Sequence, residues 1–153
     1  MIDFEAVDIT QLASDIMSET ALEREERKMS FHNLLPEHIV VKGNRSLLYS
    51  IFRNLTDNAI AYAGEETTIT LEGKEVGNKW HFIFRDNGQG VPQEHLARIF
   101  ERFYRVDKGR SRKMGGTGLG LAIVKNSVLL HGGTIRAANQ PEGGLKFEFT
   151  IKK

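Results

Sequence analysis

The sequence predicts a two-layer α/β sandwich in which a mixed, mostly antiparallel sheet of about five strands packs on three helices. Two observations support this fold class. A few separated stretches carry apolar residues at helical spacing, whereas several short stretches alternate apolar and polar residues as strands do. No strand–helix–strand unit repeats, so a doubly wound parallel sheet is not expected. One face of the sheet is predicted to pack on the helices and the other to be more polar.

The predicted elements of the first half follow from local signals. A helix is predicted over residues 8–28, with Asp8 as its N-terminal cap. Two short paired strands are expected around Pro36, in "MSFHNLL" and "HIVVKG". Asn44 is a good cap for a second helix. The buried stripe of this helix comprises Leu47, Leu48, Ile51, Phe52, Leu55 and Ala59.

The second half predicts more strands and one more helix. Two alternating strands joined by a turn at "EVGNK" run into "DNGQG", and the short helical stretch "QEHLARIF" follows. Residues 101–117 are glycine-rich and basic without apolar periodicity, and such long irregular segments are usually functional or mobile. A third helix is predicted from about Thr117 to His131, before two closing strands.

Composition bounds the function. The 153 residues predict one domain, and 40% hydrophobic with 27% charged residues is ordinary for a soluble globular domain. The net charge of +1 gives no sign of nucleic-acid binding. The absence of cysteine excludes disulfides and thiolate chemistry. No apolar run reaches the length of a membrane helix, and no signal peptide is visible.

Two asparagines interrupt the apolar pattern of the second predicted helix. Asn54, Asn58, Ala61 and Tyr62 share one helix face, away from the buried stripe. Amide oxygens bind hard cations, and Mg²⁺ needs few protein ligands when phosphates supply the others. The face therefore fits a cation–phosphate site. Alternatively, the two amides hydrogen-bond loops that lie over the helix.

Two glycine-rich stretches and a basic run also suggest ligand binding. In "DNGQG" (86–90), Asp86 can accept from an amino group, although a tight turn is the alternative. "GGTGLGL" (115–121) opens the third helix with free N–H groups for anions, or is a flexible hinge. The run between them is a solvated loop or a basic flap over phosphates. Its cations are Arg102, Arg105, Lys108, Arg110, Arg112 and Lys113.

In order and spacing, these motifs resemble the ATP-binding catalytic domain of bacterial sensor histidine kinases, in the GHKL superfamily. "NLTDNAIAYA" resembles the N box, "DNGQG" the G1 box, "FERFYR" the F box and "GGTGLGLAIV" the G2 box. The resemblance covers nearly the whole chain. It implies a Bergerat-type fold for residues 1–153 as one domain, with a linker remnant at about 1–7 and an ATP lid at about 101–117.

The resemblance also implies ATP and Mg²⁺ as cofactors and assigns roles to residues. Asn58 would coordinate Mg²⁺, with Asn54 assisting catalysis nearby. Asp86 would accept from the adenine amino group, Tyr62 would lie against the adenine, and the catalytic Arg105 would reach the γ-phosphate. The other implied nucleotide-binding residues are Gly88, Gly90, Val91, Phe100, Gly116, Thr117, Gly118, Leu119 and Gly120.

Two positions of the N box bear on the reaction. Family members commonly carry lysine or arginine where this chain has Ala61, so one phosphate contact is missing or a lid cation such as Lys108 replaces it. A degenerate nucleotide-binding module is therefore one alternative. Relatives that hydrolyse ATP or phosphorylate serine typically carry a glutamate base where this chain has Asn54, and an amide takes no proton. Transfer to histidine is thus favoured over the reactions of a GHKL ATPase or serine kinase, in which Asp57 would have to serve as a substitute base.

The phosphoacceptor histidine is expected on a separate dimerisation and phosphotransfer domain. His32 in "SFHNLLP" lacks the family's acidic neighbour and proline spacing, and its surroundings alternate as in a strand. All five histidines are therefore expected to be surface or structural residues. The expected partners are that domain and, indirectly, a response regulator. The isolated domain is expected to be a cytoplasmic monomer that contacts neither nucleic acid nor membrane, whether or not its parent protein is membrane-anchored.

Overall fold

The computed structural model describes residues 2–106 and 118–153. The helices are α1 (Ile9–Glu19), α2 (Ala21–Glu26), α3 (Arg45–Tyr62) and α4 (Gly120–Leu130), with a 3₁₀ turn at Gln93–His95. The strands are β1 (Glu5–Asp8), β2 (Ser30–Asn33), β3 (Val40–Gly43), β4 (Thr68–Val76), β5 (Lys79–Asp86), β6 (Ile135–Asn139) and β7 (Leu145–Lys152). Across these two ranges, no helix has both the length and the apolar character that crossing a bilayer requires.

Five strands form one mixed sheet in the order β2-β4-β5-β7-β6. Strand β2 runs parallel to β4, and the remaining neighbours are antiparallel. In this register Phe84 lies between Leu71 of β4 and Phe147 of β7, and all three side chains are buried. The predicted fold class, a two-layer sandwich with a mixed, mostly antiparallel sheet, is confirmed.

Helix α3 packs its apolar face onto the middle of the sheet. The ring of Phe52 meets those of Phe82 and Phe149 edge to face, with centroid distances of 5.5 and 5.6 Å. Phe82 and Phe149 stack on each other at 5.2 Å. Burying each ring contributes about 1.5–3 kcal/mol, and aromatic pairing adds to this. Because this stripe holds one side of α3 in the core, the opposite side is left to border a cleft.

The N-terminal residues form a strand that local patterns do not predict. Strand β1 pairs antiparallel with β3 in a separate two-stranded sheet, with Glu5 opposite Gly43 and Asp8 opposite Val40. The expected pairing of the two strands around Pro36 was wrong, because β2 joins the main sheet while β3 joins β1. Residues 5–7, assigned above to a linker remnant, therefore belong to the folded domain, and Val7 is fully buried.

The first predicted helix is divided into two. Asp8 caps α1 as expected, and its carboxylate accepts from the N–H of Gln11 at 3.0 Å. The break falls at the buried Thr20, whose hydroxyl donates to the carbonyl of Ile16 at 2.8 Å. Bonds of this kind compete with helical backbone bonding. Beyond the break, Arg24 donates back to the carbonyl of Met17 at 2.7 Å, which holds α2 against the end of α1.

The polar face of the sheet carries a charge cluster centred on Glu148. Its carboxylate lies 2.8 Å from the ammonium of Lys146 and 3.1 Å from the guanidinium of Arg136. Hydrogen bonds from these two cations lower the pKa of Glu148 to about 2, against an ordinary value of 4.5. Because the folded-state pKa is the lower one, the cluster stabilises the protein above pH 4.5 and loses this effect as the pH falls toward 2.

We expect Glu148→Gln to lower the free energy of unfolding by about 1 kcal/mol at pH 7, a value reduced for solvent screening. Urea titrations at several pH values measure this difference, which should shrink between pH 4.5 and pH 2. The exposed Glu142, which is not part of this cluster, offers Glu142→Gln as the matched control. A difference that stays constant across that pH range would contradict the assigned role of the ion pairs.

Candidate functional site

A cleft of about 810 Å³ lies beside the exposed side of α3. This volume is typical of small-molecule binding sites. Asp86, at the end of strand β5, forms one part of the lining. Other parts come from α2, from the start of α4 and from the segment that ends at residue 106. Most residues predicted to bind a nucleotide line this cleft: Asn54, Asn58, Tyr62, Asp86, Gly90, Val91, Arg105, Gly118 and Gly120. The predicted Gly116 and Thr117, and the lid cation Lys108, lie outside the described residues.

Three of the predicted residues do not line the cleft. The ring of Phe100 packs edge to face on Phe147 of the core, with centroids 6.0 Å apart. Gly88 lies against the end of α3, where a Cβ would come within 2.2 Å of the carbonyl oxygen of Ala63. Leu119 directly precedes α4, and its carbonyl accepts from the N–H of Ile123. A role for these three in nucleotide binding stays a prediction.

Asp86 lines the cleft, and one of its two carboxylate oxygens is bonded within the fold. Its Oδ1 accepts from the N–H groups of Gly88 and Leu145, at 2.9 and 3.3 Å. The side chain is only 7% exposed, and burial raises its pKa although these two bonds oppose the shift. Its Oδ2 accepts no hydrogen bond within the described residues. The site therefore contains a buried acceptor with a fixed orientation, suited to an amino group.

The two asparagines of α3 have different surroundings. Asn54 donates from Nδ2 to the carbonyl of Ser50 at 2.8 Å, which turns its Oδ1 toward α4. A Cβ on Gly120 would lie 3.1 Å from that oxygen, so the two helices approach closely here. The side chain of Asn58 makes no hydrogen bond in the described parts of the chain. Neither amide bonds a loop within those parts, so the alternative role as loop anchors has no support there.

Asp57 is engaged by a cation. Its carboxylate accepts from Nε of Arg53 at 3.1 Å, and Arg53 also contacts Glu19 and the hydroxyl of Tyr49. The carboxylate of Asp57 is thus already held by a guanidinium on its own helix. The geometry therefore disfavours Asp57 as a substitute base.

The start of α4 is fixed against the segment that carries Arg105. The N–H of Phe103 donates to the carbonyl of Gly118 at 2.7 Å. Gly118 has a φ of +78°, and a Cβ there would lie 2.8 Å from the Cα of Phe103, so only glycine fits without strain. The same Cβ would lie 3.3 Å from Nε of Arg105. This crossing places Nε of Arg105 beside Gly118, two residues before α4 begins.

Tyr104 is a lining residue that was not among the predicted site residues. Its hydroxyl contacts Nδ1 of His95, and the guanidinium of Arg98 lies 4.5 Å from its ring centroid. These contacts anchor the residue next to Arg105. The "FERFYR" motif contained the signal, because a tyrosine beside the candidate arginine is polar, aromatic and well suited to a cleft wall.

The family comparison agrees with this geometry. Residues 43–153 match the family described as histidine kinase-, DNA gyrase B-, and HSP90-like ATPase. The chain belongs to this family. Sensor-like histidine kinase SenX3 of Mycolicibacterium smegmatis is 38% identical over 149 residues, which cover 97% of this chain and 39% of SenX3. Phosphate regulon sensor protein PhoR of Haemophilus influenzae is 34% identical over 154 residues, which cover 99% of this chain and 35% of PhoR.

Solved histidine kinase domains share the fold over nearly their full length. The nucleotide-free catalytic domain of histidine kinase ThkA gives a TM-score of 0.87 at 25% identity, covering 99% of this chain and 97% of that one. The mycobacterial sensor histidine kinase MprB gives 0.82 at 26% identity, covering 97% of both chains. The predicted resemblance to the histidine kinase ATP-binding domain is confirmed. The chain spans between about a quarter and two fifths of the length of the curated relatives it matches.

The oxygen donors of the cleft fit a magnesium ion that takes most of its coordinating oxygens from a bound molecule and water. No group of three or more histidine, aspartate or glutamate side chains forms a metal cluster within residues 2–106 and 118–153. Mg²⁺ at phosphate-binding sites commonly uses one or two protein oxygens and takes the others from phosphates and water. The amide oxygen of Asn58, which lines the cleft, is suited to that role.

Proposed function

We propose that this domain binds Mg²⁺-ATP and transfers the γ-phosphoryl group to a histidine on a separate dimerisation and phosphotransfer domain in two-component signalling. The observation that carries the proposal is a single cleft that combines a buried acceptor, Asp86, with the amide of Asn58 and the cation of Arg105. Membership of the ATPase family supports the nucleotide as ligand. Relatives that are named sensor histidine kinases support the class of reaction.

The adenine is proposed to bind at the end of β5. Oδ2 of Asp86 would accept from its amino group, and Tyr62, Val91 and Ile99 would contact its ring. The backbone of Val91 is held on both sides by Asn139, whose Oδ1 accepts from its N–H at 2.9 Å and whose Nδ2 donates to its carbonyl at 2.5 Å. A rigid acceptor next to apolar side chains discriminates between bases, because a base without a matching amino group would leave the buried acceptor unpaired.

The phosphates are proposed to bind between α3 and the start of α4. Backbone N–H groups at the first turn of α4 and the guanidinium of Arg105 would neutralise their charge. Asn58 would hold the Mg²⁺ ion, and Asn54 lies beside it on the same helix face. When bound, the ion supplies charge neutralisation and orients the phosphate oxygens. The protein residues then contribute positioning, which is the main requirement of phosphoryl transfer.

Transfer to histidine is favoured because neither of the two candidate base positions near Asn58 on α3 offers a free carboxylate. Asn54 is an amide, and Asp57 is paired with Arg53. A neutral imidazole needs no such base to attack phosphorus. Within this chain His32 lies on β2 with its side chain exposed, and His131 is buried with bonds to Ser127 and Asn44. The acceptor would therefore come from another domain, which would hand the phosphoryl group to a response regulator.

Incubation with γ-labelled ATP and the phosphoacceptor hairpin of the parent kinase tests this proposal. The expected product is an acid-labile label on a hairpin histidine, formed only with Mg²⁺. Nucleotide binding without any label would favour a regulatory module that does not transfer phosphate. Rapid hydrolysis without a partner, or an acid-stable phosphoserine, would favour the ATPase or serine kinase class. Because the proposed reaction uses the cellular ATP pool, the domain is expected to act in the cytoplasm.

A further inference from the structure

The end of helix α2 contributes a cation to the cleft lining. At Ala61, which lines the same cleft from α3, the side chain carries no charge. Arg27, the C-cap residue directly after α2, lines the cleft together with Asn58 and Ala61. Its N–H donates to the carbonyl of Arg24 at 3.1 Å, and its own carbonyl accepts from the N–H of Glu66 at 3.0 Å. These two backbone bonds fix Arg27 between the end of α2 and the loop that follows α3.

The guanidinium of Arg27 is incompletely bonded in the described parts of the chain. Its Nε is buried and has no hydrogen-bond partner there. None of the ion pairs within residues 2–106 and 118–153 involves its side chain. By contrast Arg53, another cation of the cleft, is held by Asp57 and Glu19. A buried donor without an acceptor costs about 1–3 kcal/mol. An anionic ligand in the cleft would supply acceptors to Arg27 without breaking an existing ion pair.

Ala61, on α3, lines the same cleft as this arginine and has a small side chain. Ala61 lies three residues after Asn58, hence on the same side of the helix, and its methyl group brings no charge to the cleft. A guanidinium forms paired hydrogen bonds to phosphate oxygens, whereas an adenine ring offers it no negative charge. We propose that Arg27 binds a phosphate group of the nucleotide from α2. This inference rests on the proposed ATP site and names a further residue of it.

Affinities for ATP and adenosine, measured by calorimetry at low salt, test the inference on the whole chain. Arg27→Gln should weaken ATP binding about 10-fold, as expected for the loss of one charge-assisted contact. It should leave adenosine affinity unchanged and reduce the salt dependence of ATP binding. Lys28→Gln removes the same charge one residue later, outside the cleft lining, and should bind ATP like the parent chain. Arg27→Lys should retain part of the lost affinity.

The outcomes separate this inference from the proposed function. If Arg27→Gln binds ATP as tightly as the parent chain, or loses ATP and adenosine affinity equally, the phosphate contact is refuted while the ATP site stands. A parent chain that binds no ATP would overturn both proposals. Thermal unfolding of each variant identifies any loss that comes from the fold, because a structural effect would change adenosine binding as well.

Discussion

Asn58→Ala is expected to weaken Mg²⁺-dependent ATP binding roughly 10- to 150-fold while the domain stays folded. This range corresponds to a charge-assisted contact of about 1.5–3 kcal/mol. The side chain of Asn58 makes no hydrogen bond in the described parts of the chain, so alanine removes no bond there that holds the fold. Thermal unfolding of the variant should therefore match that of the parent chain.

Calorimetric titration with ATP, in Mg²⁺ and then in EDTA, measures this effect. The two proteins should differ in Mg²⁺ and converge in EDTA, because only the metal-bound nucleotide uses the amide. Asn126→Ala, at an exposed position of α4 that does not line the cleft, is the matched control. Equal affinities of Asn58→Ala and the parent chain in Mg²⁺ would remove Asn58 as a metal ligand.

Asp86→Asn should reduce ATP affinity about 100-fold without lowering stability at pH 7. The new amide oxygen can still accept from Gly88 and Leu145, which the carboxylate Oδ1 does now. The new NH₂ group would then face the adenine amino group, so two donors would meet in a buried site. The loss should be similar for ATP, ADP and adenosine, since all three carry the amino group.

The stability of this variant has its own pH dependence. Burial raises the pKa of Asp86, so the folded state binds the proton more tightly than the unfolded state. The native carboxyl group therefore favours folding at low pH and loses this effect as the pH rises through the raised pKa. Asparagine removes the cost of burying the charge, so the variant should be at least as stable as the parent at pH 7. Chemical unfolding of Asp86→Asn, with the exposed Asp15→Asn as control, measures this; a marked loss of stability would contradict it.

Local chemistry made part of the fold predictable. The caps at Asp8 and Asn44 accept backbone N–H groups three residues later, so each signal lies within one helical turn. The alternation in β4 and β5 spans eight or nine residues, which is long enough to identify a buried face. Strand β1 has four residues and pairs with β3 across the intervening helices and β2, so its signal is not local. The break at Thr20 depends on side-chain bonds that a propensity pattern does not contain.

The site was predictable where its residues form contiguous motifs and not where the fold brings distant segments together. Asn54 and Asn58 could be assigned to one helix face from spacing alone. The partner of Asp86 at Leu145, and Asn139 behind Val91, come from later in the chain through the order of the sheet. Arg27 comes from α2 for the same reason. Phe100 belongs to a motif, yet its ring packs on Phe147, because an apolar ring beside an open core edge is stabilised by burial.

The bond between Phe103 and Gly118 has a consequence for protein engineering. This bond joins the chain just before residue 107 to the chain just after residue 117. The two ends therefore stay together whatever the number of residues between them. The entropy cost of closing a connection rises slowly with its length, by about 0.6 kcal/mol for each doubling. A reporter peptide inserted between residues 107 and 117 is therefore expected to leave the main sheet and the part of the cleft around Asp86 unchanged. This part of the chain is a natural insertion point for a nucleotide sensor.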